Sequence, residues 1–367
     1  MILVKPQTAY RKARRGIALI VVLVVVIAMT VLAAGFAYSM KVEMRLAQVS
    51  HSGDELEWIA RSAVEYAKFI LGQQLAIAGE PYDALNQKWA GGPGGPATTN
   101  TPLQDVSLTD VQLGEGRFSL QIEDLERRIN INVADPTILR QALIQIGVDA
   151  TEIPVITDSI LDWIDRDDDP HLSGAETDFY LRRKPAYIAK NGPLDDLSEL
   201  LLIKGITPQI YWGNQFLLHQ NQGALFADSE FRNLRSDVVY PVGMVNLFST
   251  LSARSLNLNT VTAEALQAIP PIDSNMATAL LRYRAGPDGV EGTPDDMPLR
   301  NANELANIPG FSGPVIQSLA SRQPFATRST TFEVKIFAEI SGVKREYRAI
   351  LRRVDARNLL VLSFLSQ

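Results

Sequence analysis

Cysteine is absent from the 367 residues, and histidine occurs only three times, as His51, His171 and His219. Without cysteine there are no disulfides, no thiol catalysis, no iron–sulfur clusters and no cysteine-ligated zinc. That composition suits an exported protein that avoids wrong pairing, and it suits many cytosolic ones as well. Most hydrolase and redox-metal centres would have to be assembled from three histidines far apart in sequence. The patterns GxxxxGK(S/T), GxSxG, HExxH and GxGxxG are missing too, which removes the common phosphate-cradling, nucleophile-elbow, zinc-protease and dinucleotide signatures. Trp58, Trp89, Trp163 and Trp212 are scattered and read as core or interface anchors. The chain is therefore not expected to be an enzyme. Positive charge is not in excess: 35 Lys and Arg stand against 41 Asp and Glu, a formal charge of -6. Wrapping nucleic acid needs a basic surface, so no nucleic acid partner is expected. What the sequence does have is apolar content, 46% against 21% charged, enough for packed cores and too much for global disorder. Its length suggests two or three domains.

Charge is unevenly placed. Residues 1–16 hold Lys5, Arg11, Lys12, Arg14 and Arg15 and no acid, and the first acid in the chain is Glu43. Between them Ile17 to Ala37, IALIVVLVVVIAMTVLAAGFA, is uncharged over 21 residues. A helix of that length covers about 30 Å, the hydrocarbon thickness of a bilayer. Its Ile, Leu, Val and Phe content favours insertion by roughly 4–8 kcal/mol. The basic flank stays cytoplasmic and the bulk of the chain faces the other side. A cleaved secretory signal has a shorter apolar core, and a plain anchor gives no reason for glycine at the junction Arg14-Arg15-Gly16-Ile17. Both stand as alternatives to an anchor processed at that glycine.

The helix is expected to continue beyond the membrane. Leu46, Val49, Leu56, Ile59, Ala60, Ala63, Ala67, Ile70, Leu71 and Leu75 recur mostly at steps of three and four, with Glu55, Glu57, Arg61, Glu65 and Lys68 mostly off that stripe. Gly53 inside it marks a candidate bend. Residues 91–102, GGPGGPATTNTP, read as a surface loop with no capacity to pack. Gly116–Ile122 and Arg128–Val133 read as strands, and Asp135-Pro136 opens a helix. Near the C-terminus Phe332, Val334, Ile336, Ala338 and Ile340 alternate, then Gly342, then Tyr347, Ala349 and Leu351: a β-hairpin with one buried face. Leu359–Leu365 adds a further strand. Strands thus bracket a mostly helical middle, and an insertion into a small sheet is the simplest topology.

That middle repeats. Asn130-Ile131-Asn132 with Leu139 matches Asn257-Leu258-Asn259 with Leu266, and Pro193-Leu194, Glu199-Leu200, Ile203 and Gly205-Ile206-Thr207 match Pro298-Leu299, Glu304-Leu305, Ile308 and Gly310-Phe311-Ser312. Two related helical units in tandem account for this. The Gly-centred steps look like helix–hairpin–helix turns, a motif often used on DNA backbones; the alternative is a tight interhelical turn in a SAM-like bundle.

A basic leader ending in glycine, an apolar helix and its amphipathic continuation together resemble the type IV prepilin and pseudopilin family. The resemblance implies a cut between Gly16 and Ile17 by a prepilin peptidase, and N-methylation of Ile17. Most such subunits carry glutamate as the fifth residue after the cut. Val21 stands there, a departure typical of the minor pseudopilin K family of the type II secretion system. The stretch LDWIDRDDDPHLSGAETDFYLRRKPAY, 161–187, with GPLDDLSEL after it, is closely similar to that family. What the resemblance implies is an α+β protein with a long N-terminal transmembrane and amphipathic helix on a small antiparallel sheet. Into that sheet a large helical, SAM-like, tandem-repeat domain is inserted. The expected boundaries are leader 1–16, transmembrane segment 17–37, stem 38–78, sheet 79–133, insertion 134–325 (units at about 134–222 and 255–322) and sheet 326–367. The expected function is a minor pseudopilin at the tip of the secretion pseudopilus, starting its assembly for export across the outer membrane. Implied partners are I- and J-type minor pseudopilins, the major pseudopilin, the prepilin peptidase and the inner-membrane secretion platform. The expected location is the bacterial inner membrane, single-pass, with the bulk periplasmic. The competing expectation is a membrane-anchored DNA-binding minor pilin of an uptake pilus. Five of the 35 basic residues lie in the leader, leaving 30 against 41 acids, which disfavours it.

Chemistry, if any, sits in two acidic loops. Asp165, Asp167 and Asp169 occupy positions 1, 3 and 5 of a loop whose twelfth residue is Glu176, the oxygen spacing of a calcium loop, with the His171 carbonyl at position 7. Pro170 stands where an EF-hand needs glycine, so this is not an EF-hand. Asp178 is a spare donor. The alternative is a solvated acidic face. The second candidate is GPDGVEGTPDD, 286–296, with Asp288, Asp295 and Asp296. An oxygen-rich, cysteine-free loop favours calcium over zinc.

Overall fold

The computed structural model describes residues 14–216 and 240–366; residues 1–13 of the expected leader, His219 and the end of the first helical unit lie outside them. Helix α1 runs from Arg14 to Ala76 and passes through Gly53. Its Ala18–Met44 part is long and apolar enough to cross a membrane and is exposed along its length. Past Gly53 the expected stripe turns inward: Leu56, Ile59, Ala60, Ala63, Ala67, Ile70 and Leu71 are buried. Glu57–Arg61 and Glu65–Lys68 ion pairs lie outside that stripe.

The stripe packs on one antiparallel sheet, ordered β1-β2-β7-β8-β9. Its strands are β1 (Val111–Leu113), β2 (Gly116–Asp124), β7 (Thr331–Ile340), β8 (Val343–Arg353) and β9 (Leu359–Ser366). The short β3 (Ile129–Asn130), β4 (Phe248–Ser249), β5 (Leu256–Asn257) and β6 (Phe325–Ala326) form two parallel pairs, β3 with β4 and β5 with β6. Alternation decides the sheet's faces, as period two requires: Phe118, Leu120, Ile122, Phe332, Val334, Ile336 and Ala338 join the α1 residues in one core. Gly116 permits the close approach, since a Cβ there would lie 2.4 Å from Ile59 Cδ1.

β2 pairs directly with β7, Gly116 opposite Ile340 through Asp124 opposite Phe332. Residues 125–330 are therefore inserted between two neighbouring strands, and they carry their own core. Helix α2 (Pro136–Ile146) starts where expected, with the Asp135 side chain accepting from the Thr137 N–H, and ends at Gly147 in the left-handed conformation. α3 (Ile153–Ile164), α4 (Ser274–Arg284) and α5 (Gly313–Arg322) are the other long helices described in the insertion.

The two Asn-x-Asn steps make the same bonds. Asn132 donates to the Leu194 carbonyl at 3.0 Å and accepts from the Leu194 N–H at 2.7 Å; Asn259 does so with Leu299 at 2.9 and 2.8 Å. Gly205 and Gly310 both have positive φ, and a Cβ on them would lie 2.7 Å from Ile156 and 2.8 Å from Met276.

Two expectations need correction. The strand expected over 128–133 pairs only at 129–130, because the Asn130 side chain accepts from the Asn132 N–H and turns the chain into a 3-10 helix. The 91–102 segment does pack. Glu80 is buried and accepts from Gln74, Gln87, the Ala97 N–H and Thr98 Oγ1. A Cβ on the buried Gly95 would lie 2.2 Å from Glu80 Oε1, so glycine here admits a carboxylate rather than loosening a loop.

Candidate metal site in the insertion

The acidic loop leaves the C-terminal end of α3. That helix buries Ile156, Ile160 and Trp163, and the same turns carry Asp158 and the fully buried Asp162. Asp162 folds the loop back: its Oδ1 accepts from the His171 N–H at 3.0 Å and pairs with the imidazole Nδ1, and its Oδ2 accepts from the Ala175 N–H at 2.6 Å. Ser173 N–H donates to Asp158 at 3.1 Å. Gly174 is obligatory, since a Cβ would lie 1.8 Å from Asp162 Oδ2. From the other side Lys204 Nζ donates to the Ser173 and Gly174 carbonyls at 3.1 and 2.9 Å.

The result is a carboxylate pocket short of donors. Glu176, 4% exposed, has both oxygens buried without a hydrogen-bond partner, and so has Oδ1 of Asp165. Burial, then the charges of Asp162, Asp165 and Asp168, push Glu176 up to about 7. Burial, then Asp167 and Asp162, raise Asp165 above the usual carboxylate range. The bond to Asp162 raises the His171 imidazole. Asp162, Asp165 and His171 offer ligand atoms within 4.8 Å of one another. Buried carboxylates without donors demand a cation or a proton; the carboxylate oxygens suit a hard divalent ion, while the His171 Nδ1 is already paired with Asp162.

Of the sequence candidates, Asp165 and Glu176 carry buried oxygens without donors; Asp165 clusters with Asp162 and His171, a group that does not include Glu176. Asp167, Asp169 and Asp178 are exposed, the Asp167 Oδ1 accepting from the Asp169 N–H at 3.2 Å. The His171 carbonyl accepts from the Gly174 N–H at 3.1 Å. Sequence reasoning missed Asp162 and Asp168. Asp162 lies in the last turn of α3, three residues before Asp165 at the helix's C-terminal cap, and that three-residue step was the available signal.

The second loop is built differently. Asp295 accepts from the Asp288 N–H and Thr293 Oγ1, Asp296 from the Gly292 N–H and Thr293 Oγ1, and Asp288 from the Val290 N–H. The buried Arg284 pairs with Glu291 and donates to the Leu258 carbonyl at 2.9 Å.

Comparison with known proteins comes to one family. A family model described as type II secretion system (T2SS), protein K, matches residues 117–213. The chain is 29% identical over 208 residues to the type II secretion system protein K of Pseudomonas aeruginosa, covering 53% of this chain and 58% of that protein. With that of Klebsiella pneumoniae it shares 31% over 203 residues, covering 54% and 60%. It thus spans about three-fifths of the length of these relatives. A crystal structure described as the GspK-GspI-GspJ complex from the enterotoxigenic Escherichia coli type 2 secretion system contains a chain of similar fold. The TM-score is 0.61 at 16% identity, over 88% of this chain and 99% of that one.

Proposed function

As a relative of the type II secretion system protein K, this chain is, we propose, a minor pseudopilin of the secretion pseudopilus, anchored in the inner membrane with its bulk in the periplasm. The observation that carries the reading is one helix that leaves an apolar span and becomes the stem of an antiparallel sheet interrupted between β2 and β7. The GspK neighbour is described in a complex with GspI and GspJ, and this chain would bind I- and J-type subunits likewise, then the major pseudopilin and the secretion platform. We read the insertion as a SAM-like tandem repeat, supported by the matched Asn132–Leu194 and Asn259–Leu299 bonds. An uptake-pilus DNA binder has less support. Lys204, the basic residue of the two Gly-centred steps, is spent on backbone carbonyls.

Processing would cut Gly16–Ile17 and methylate the new amine. Intact mass of the membrane-extracted chain tests this, and an unshortened mass overturns it. The freed amine (reference pKa about 7.7–8.0) is costly to bury unpaired. Val21 offers no carboxylate to the amine of a subunit above, so this chain gains nothing from a neighbour overhead and its insertion obstructs one. It would therefore sit first, at the tip, and start assembly. Immunogold label along the pseudopilus shaft would defeat that placement.

The first acidic loop would hold calcium through Glu176 and Asp165, with Asp162, Asp167 and Asp168 adjoining and the exposed Asp169 and Asp178 as outer candidates. The ion would supply the positive charge this pocket lacks. Asp288, Asp295 and Asp296 remain the second candidate; their oxygens already accept from the loop itself.

A further inference from the structure

We propose that Asp124 and Glu126 form a carboxylate clamp that fixes the helical insertion in a single orientation on the sheet, so that stem, sheet and insertion move as one body. The inference does not depend on the secretion reading. The chain leaves the sheet after Asp124 and returns at Thr331, and such a joint between two separately packed cores is free to swing unless something holds it.

Here the exit holds both other passages. Asp124 Oδ2 accepts from Asn257 Nδ2 at 3.1 Å, Thr260 Oγ1 at 2.5 Å and Ser329 Oγ at 2.6 Å. Two residues on, Glu126 accepts from the Thr330 and Thr331 N–H groups at 2.9 and 3.1 Å, from Thr330 Oγ1 at 2.6 Å and from the Ala253 N–H at 3.4 Å. The stem is tied to the same point. Arg353, at the end of β8, donates to the Leu71 and Ser329 carbonyls and pairs with Asp83, whose carboxylate also accepts from the Ser329 N–H. Asp83, Asp124, Glu126, Asn257, Thr260 and Arg353 are all buried.

An apolar contact tolerates small rotations. Hydrogen bonds to desolvated carboxyl groups do not, because each one unmade leaves a buried polar oxygen without its donor. The repeat shows the specialisation: Asn257 reaches Asp124, Ser329 and the Asp83 carbonyl, whereas its counterpart Asn130 donates to the Ser252 carbonyl inside the insertion.

The test exploits the cysteine-free sequence. In the full chain in detergent, Gln121→Cys on the sheet and Asn275→Cys on α4 take spin labels, and pulsed electron resonance reads their separation. One narrow distance distribution is expected with the clamp intact. In Asp124→Ala/Glu126→Ala it should broaden or split, and amide protection at Ala253, Thr330 and Thr331 should fall roughly tenfold or more. Thr260→Val, which removes one donor and leaves both carboxylates, should broaden it in the same sense and decides the matter if the double variant does not fold. A distribution as narrow in the folded variants as in the parent overturns the proposal.

Discussion

Replacing Glu176 by glutamine should change stability with opposite sign in chelator and in calcium. In the folded chain without a cation, Glu176 titrates near 7 against an ordinary value of 4.5. At about 1.4 kcal/mol per unit, its ionised form destabilises the cation-free fold by roughly 3 kcal/mol above pH 7. The folded chain holds this proton more tightly than the unfolded one. Cation-free stability should therefore fall as pH rises from about 4.5 to about 7 and be level beyond. Glutamine removes the charge, and its amide can donate to Asp165 or Asp168, so Glu176→Gln in chelator at pH 8 should melt several degrees above the parent. Calcium reverses the order. At a thousandfold excess over Kd the parent gains about 4.1 kcal/mol, more than the roughly 3 kcal/mol it lacks in chelator, and the variant loses most of that gain. Thermal melts followed through the near-ultraviolet signal of Trp163, buried against Tyr180, report both arms. If the variant melted below the parent in chelator as well, Glu176 would be an ordinary satisfied buried group, and the cation reading would fall.

Gly174→Ala forces the loop off Asp162, where its Cβ would lie 1.8 Å from Oδ2; calcium affinity by titration calorimetry should drop roughly 10–100-fold. Gly205→Ala and Gly310→Ala both place a side chain at positive φ, but the first meets the stiff Ile156 and the second the flexible Met276. Urea melts should show the first costing more, about 1–3 kcal/mol. Trp89→Ala, in the core under α1 and edge-on to Phe332, should cost about 3–5 kcal/mol and by the same amount in calcium and in chelator, since it leaves the acidic loop untouched.

The helix, the strands and the order of the chain were legible because they rest on local periodicity. A 3.6-residue stripe from Leu56 to Leu71 and two-residue alternation from Phe332 to Leu351 fix which face is buried before any partner is known. The apolar span follows from the same kind of information, as does the Asn-x-Asn repeat; the insertion was expected over 134–325, whereas the chain leaves the sheet after Asp124 and returns at Thr331. Burial of polar groups is not local, and there the sequence was silent or misleading. Glycine and proline in 91–102 signalled an unpacked loop, yet they make room for Glu80. Nothing in the spacing Asp165, Asp167, Asp169, Glu176 says which oxygens lose water. Only the return of the loop onto α3, drawn by Asp162, leaves Glu176 and Asp165 without donors while Asp169 and Asp178 stay in solvent. Asp124 and Glu126 read as ordinary strand-end acids until residues 253–260 and 329–331 close over them. Spacing sets which side chains share a face; the free energy of a carboxylate depends on which distant segments take away its water and whether they bring donors, and tertiary packing alone decides that.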